Sequence, residues 1–214
     1  MNPFPEDIYT ETPSASDVLG SLGPLRALAG TWRSRLGTDT SPKAPGPETK
    51  KFVEHIRLDP IDAQNNGPQL FYGLRYHTHI NNPEELPTFH DQVGYWLWEP
   101  ATGLIMQTLT IPRGQVVLAA GQAAADDRSF SVEAKRGATD YGICSTTFLE
   151  QAFRTDSYRC EITINDDNSW SYELHTTLKI RDRPDPFDHH DTNTLFRVAG
   201  PAENPLALAE RGQP

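Results

Sequence analysis

A two-residue rhythm is the strongest constraint in this chain. From Thr31 onward, apolar and polar side chains alternate in short runs. Each run ends, within about a dozen residues, at a cluster of Gly, Pro, Asn or Asp. The runs cover residues 31–36, 50–58, 69–80, 89–98, 104–111, 115–120, 130–135, 145–154, 158–165, 169–180 and 190–198. Residues 38–47, 59–68 and 81–87 read as loops or turn regions, with Asn66-Gly67 inside the second. Asp166-Asp167-Asn168 reads as a hairpin turn. One stretch breaks the rhythm. In residues 22–30, Pro24 suits a first helical position, Leu25 and Leu28 share a face, and Gly30 ends the turn.

About ten strands and one short N-terminal helix predict an all-β fold, a single antiparallel β-barrel closed on itself. Closure removes the sticky edges that so many strands would otherwise present, and a small barrel can hold one ligand. The expected organisation is a flexible lead-in over 1–20, the barrel over 21–200 and a tail over 201–214. Hydrophobic residues make up 36% of the chain and mean hydropathy is −0.58, which suits strands with one buried face better than a helical bundle.

A net charge of −10 argues against nucleic acid and against anionic membrane surfaces as partners. No apolar run reaches spanning length and the first residues lack a basic start and an apolar core, so a cytoplasmic location is expected. Cys144 and Cys160 form no C-x-x-C pair. Two reduced thiols are the expectation, with a disulfide between them left open. P-loop, G-x-G-x-x-G and G-x-S-x-G patterns are absent from the sequence.

The seven histidines carry the chemistry. His77 and His79 sit two apart on one strand face, a spacing that can chelate a metal, although a solvated polar face is the commoner origin of such a pair. His90 opens the aromatic strand Phe89-His90-Asp91-Gln92-Val93-Gly94-Tyr95-Trp96, either at a pocket rim or in water. His190 opens the last strand and shares a face with Thr192, Thr194, Phe196 and Val198, opposite Asp191, Asn193, Leu195 and Arg197. If the His190 face lines a cavity, His190 stands at its mouth.

Three segments resemble the nitrobindin family of small haem-binding barrels. Gly30-Thr31-Trp32 is similar to the opening G-x-W-x-G-x-G, with Ser34 and Leu36 in place of two glycines. The stretch from His90 to Tyr95, followed by Arg113-Gly114-Gln115-Val116-Val117-Leu118, resembles the middle motifs. His190, with Leu195, Arg197 and Val198, resembles the closing strand.

The resemblance implies a lipocalin-like or fatty-acid-binding-protein-like barrel holding haem b, with His190 as the axial iron ligand. It puts His90 on the other side of the haem, Arg113 near a propionate or in water, and Thr49 as the haem-contacting threonine. It further implies ferric haem with an open sixth position, nitric oxide binding, and isomerisation of peroxynitrite to nitrate. The expected partners are haem and nitric oxide or peroxynitrite. A homodimer is left open. The alternative is a non-haem carrier of an apolar small molecule, for which His190 would be only a polar group in the wall.

Overall fold

A computed structural model of the chain describes residues 5–84, 86–205 and 208–209. A 3-10 helix (Gly23–Leu28) precedes β1 (Gly30–Ser34), β2 (Gly37–Lys43), β3 (Gly46–Asn66), β4 (Gln69–Asn81), β5 (Thr88–Glu99) and β6 (Leu104–Ile111). Next come β7 (Gln115–Gln122), β8 (Ser129–Lys135), β9 (Ile143–Ser145) and helix α1 (Thr147–Ala152). The chain then runs through β10 (Phe153–Ile164), β11 (Ser169–Ile180) and β12 (Phe187–Ala199).

All strand pairs are antiparallel, and the sheet closes because β1 and β2 share one slot. β1 pairs with the last residues of β12 and the middle of β3; β2 pairs with the first part of β12 and the start of β3. Counting β1 and β2 as one staggered wall gives a closed ten-strand antiparallel barrel, with β9 an extra strand on β7. The expected all-β barrel is therefore the observed architecture.

Three details differ from the sequence-based expectation. Residues 38–43, rich in Thr, Ser and Pro, form most of β2 rather than a loop, because β3 offers ladder partners along the whole segment and β12 offers them at 38–40. β3 continues to Asn66 past a bulge between Ile61 and Gln64, so the turn shrinks to Gly67-Pro68, where Gly67 has φ +56°. Residues 147–152 are helical rather than extended. Thr146 has extended N-cap backbone and its carbonyl accepts the Glu150 N–H at 3.0 Å.

The two ends of the barrel differ. The 3-10 helix plugs one end with Leu22, Leu25 and Leu28, all fully buried among Trp32, Trp96, Trp98, Phe130 and Trp170. Gly23, at φ +52°, lies so close to the Trp98 ring that an added Cβ would meet it at 2.5 Å. The opposite end carries the starts of β5, β7 and β12 and the β2–β3, β4–β5, β6–β7 and β11–β12 connections. That end has no apolar helix across it comparable to residues 23–28 among the described residues. Both cysteines are free, Cys144 exposed and Cys160 buried. Among the described residues, no helix is long and apolar enough to cross a membrane.

Candidate functional site at the open end of the barrel

Which face of β12 looks inward is fixed by its buried members. Leu195 is fully buried and opposes Ser34, and Asn193 donates to the carboxylate of buried Glu54 at 2.7 Å. Alternation then puts Asp191 and His189 on the inner face, and His190, Thr192, Thr194 and Phe196 outside. His190 thus does not line the interior, contrary to the expectation from the closing motif. The reason is physical: the barrel buries polar Asn193 and partly buries Asp191 while leaving apolar Phe196 and Val198 outside, so hydropathy points the wrong way along this strand.

His189 is the inner histidine of β12. Its Nε2 donates to Asp39 Oδ1 at 2.8 Å, and Asp191 Oδ2 lies 3.7 Å away. Asp39 comes from β2, directly opposite Asp191. Burial opposes the charged imidazole, but the Asp39 hydrogen bond and the two carboxylates outweigh it and hold the His189 pKa above its usual value. Burial pushes Asp191 up to about 7, whereas the His189 bond and charge overcome burial at Asp39 and lower it.

His90 lies on the inner face of β5, in line with Gln92, Gly94 and Trp96. Its Nε2 donates to Gln92 Oε1 at 3.3 Å. Burial depresses its pKa; the Gln92 bond acts against that, and the charges of Arg113 and His189 add to it. The two inner histidines are therefore biased in opposite directions, His189 toward the charged form and His90 toward the neutral one. Arg113 sits in the β6–β7 turn, where one guanidinium nitrogen donates to the Phe89 carbonyl at 3.1 Å and its charge reaches both rings. The structure brings His90, Arg113 and His189 to one mouth.

Below the mouth the lining is polar. Gln92 donates to Tyr76 Oη at 2.7 Å, Tyr76 donates to the Thr108 carbonyl at 3.0 Å, and Tyr158 donates to Gln107 Oε1 at 2.7 Å. Tyr172 donates to Glu54 Oε2 at 2.8 Å, beside the Asn193 bond. Burial raises Glu54 to about 7 and Cys160 to about 12. An acid on the otherwise apolar face of Phe52, Ile56 and Leu58 was the sequence signal for this network.

Thr49 is also displaced from its expected place. It is exposed and pairs with Thr40, its Oγ1 3.0 Å from Thr40 Oγ1; because Thr40 pairs with His190 in turn, all three point outward. His77 and His79 are outside as well, both on Asp91 Oδ2, at 3.0 and 3.3 Å. Asp39 and His189 are the two inner residues that sequence reasoning missed. Asp39 lies in the stretch 38–47 expected to be a loop, and His189 precedes the run 190–198 expected as the last strand.

A family model described as the THAP4-like, heme-binding beta-barrel domain matches residues 21–197. Among solved structures, the chain is similar to the crystal structure of Rv2717c from M. tuberculosis, with a TM-score of 0.59 and 18% identity over 86% of this chain and 99% of that one. At that identity the likeness speaks for the fold alone. No curated protein matches. With residues 21–197 matched, the chain belongs to the family of THAP4-like, heme-binding β-barrel domains, the nitrobindin family.

Proposed function

We propose that this barrel binds ferric haem b at its open end, with His189 as the single axial ligand. The carrying observation is the placement of His189: inside the mouth, beside a carboxylate, across from a second inner histidine. A metal-bound imidazole commonly donates its other ring N–H to a carboxylate, which fixes the tautomer and raises ligand basicity. Asp39 offers that partner to His189. The donor set therefore fits an axial histidine.

The residues around it have separate tasks. Asp39 orients the His189 ring. His90, biased toward its neutral form, offers a polar contact on the distal side. Arg113, a cation at the rim, suits a propionate. When bound, ferric haem with one protein ligand supplies an open iron position for nitric oxide and the centre at which peroxynitrite rearranges to nitrate. A carrier of a purely apolar molecule is the weaker reading, because the lining beneath the mouth is Glu54, Tyr172, Asn193, Tyr76 and Gln92.

Hemin titration tests the assignment. Wild type and His190→Ala should both give a sharp Soret band, and His189→Ala should not. Peroxynitrite decay should then accelerate with hemin-treated wild type and His190→Ala, and not with His189→Ala. Broad spectra of free haem from the wild type would sink the haem reading. Loss of the band in His190→Ala, with His189→Ala intact, would return the ligand role to His190.

A further inference from the structure

His190 is turned away from the barrel interior, but it is not an isolated surface histidine. His190 Nε2 lies 2.9 Å from Glu173 Oε1, and His175 Nε2 lies 3.2 Å from the same oxygen. The two rings stack, with centroids 4.3 Å apart and planes 12° from parallel. On its other side, His175 Nδ1 donates to Asp188 Oδ2 at 2.8 Å. Three donor atoms, one from each of Glu173, His175 and His190, lie within 4.8 Å of one another.

This convergence follows from sheet geometry. Glu173 and His175 are two apart on β11 and so share its outer face. His190 is the direct cross-strand partner of His175, so it shares that face too. All three ligand atoms are thus carried by regular strands, which hold a site more closely than loops do. The side chains are half-exposed, so an ion can reach them from solvent.

We propose that Glu173, His175 and His190 form a divalent transition-metal site on the outer wall of the barrel, with Zn²⁺ as the fitting ion. Two imidazole nitrogens and one carboxylate oxygen are the donor types zinc accepts, and three protein ligands leave a position open to water or a small ligand. Asp188 is a positioning residue. Its bond to Nδ1 keeps the proton there and presents Nε2 to the ion. Glu173 also borders a groove lined by Ser171, Thr192, Thr194 and Phe196. The site is independent of the interior one: β12 presents His189 to one side and His190 to the other.

The outer wall has a second cluster, His77, His79 and Asp91, which supplies the internal control. There His77 reaches Asp91 through Nε2 and His79 through Nδ1, and among the described residues no carboxylate bonds the second nitrogen of either ring.

The test uses the full chain, free of any histidine tag and of haem, titrated with Zn²⁺ against a chromophoric chelator and with Co²⁺ followed by its visible d–d bands. One equivalent should bind with a four- or five-coordinate Co²⁺ spectrum. His175→Ala, His190→Ala and Glu173→Gln should each weaken binding at least about tenfold, and Asp188→Asn about 10- to 100-fold. His77→Ala and His189→Ala should leave it unchanged. Circular dichroism checks that each variant folds; Glu173→Gln, an exposed isosteric change, carries the test if a histidine variant does not. Binding no tighter than millimolar, or loss of the site in His77→Ala or His189→Ala rather than His175→Ala, overturns the proposal. Its failure would leave the Soret result untouched, so the two readings fall separately.

Discussion

Asp39 accepts a hydrogen bond from His189 across the seam where β2 closes the barrel against β12. The bond ties the axial ligand proposed for haem to the strand that sequence reasoning took for a loop. If Asp39 orients that ring, Asp39→Asn should keep the fold and lower hemin affinity about 10- to 100-fold, the usual cost of losing a carboxylate behind a metal-bound histidine. Spectral titration of both proteins at one pH reads the difference. Equal affinities would leave His189 unassisted by Asp39.

Glu54 should make stability fall as pH rises. Burial lifts its carboxyl from 4.5 to about 7, with the Tyr172 and Asn193 bonds pulling only part of the way back. The unfolded chain therefore releases this proton near 4.5, and the folded chain holds it until about 7. Across that window the folded state binds more protons, so the free energy of unfolding declines with increasing pH, then levels off above about 7. The full drop is about 3 kcal/mol at 1.36 kcal/mol per pKa unit. Asp191, raised by burial to about 7, steepens the same window. Urea unfolding of wild type and Glu54→Gln at pH 5 and pH 8 separates the two: the variant should lose Glu54's share of the decline. An unchanged decline would place the cause elsewhere.

The barrel was legible because its signal is repeated. Alternation, turn residues and the Leu22–Leu28 plug each point to the same closed sheet. The site was less legible because a period of two reports which residues share a face, not which face is inside. On β12 and β11 that choice is shared with one distant residue: Glu54, 139 residues from Asn193 and 118 from Tyr172, accepts hydrogen bonds from both inside the barrel. Similarly, Ser41 and Pro42 favour a loop locally, yet pairing with β3 along residues 37–43, and with β12 as well at 38–40, makes the segment a strand. Local chemistry could not reveal either outcome.

Gly94 is a place where the motif and the packing agree. An added Cβ would sit 1.9 Å from the Thr108 carbonyl oxygen and 3.1 Å from the Tyr76 ring. The first neighbour is backbone in the paired strand β6, so it cannot swing aside. Gly94→Ala should therefore push β5 and β6 apart and destabilise by about 1–3 kcal/mol, the usual range for overpacking. For a chain of this length that lowers Tm by roughly 2–4 °C per kcal/mol, measurable by thermal denaturation. An unshifted Tm would mean the strands can separate without cost.

Trp32 and Arg197 lock the plugged end, and their substitution should separate packing from charge. Trp32 is almost fully buried, meets Trp170 edge-on, and donates from Nε1 to the Leu28 carbonyl at 2.7 Å. Arg197 lies over the Trp32 ring at 4.1 Å and donates to the carbonyls of Ala29 and Ala27 at 2.6 and 3.1 Å. The pair thus fastens the end of the 3-10 helix to β1 and β12. Trp32→Ala removes the ring and leaves a cavity, which should cost about 3–5 kcal/mol. Trp32→Phe keeps an aromatic face for Arg197 but leaves the buried Leu28 carbonyl without its donor, costing about 1–3 kcal/mol. Arg197→Met keeps part of the stem over the ring and loses both carbonyl bonds, so it too should destabilise, by about 1–3 kcal/mol. Because the three groups touch, Trp32→Phe with Arg197→Met should not be additive. Chemical unfolding of the singles and the double gives the coupling directly, and strict additivity would mean that the ring and the guanidinium act on the helix independently.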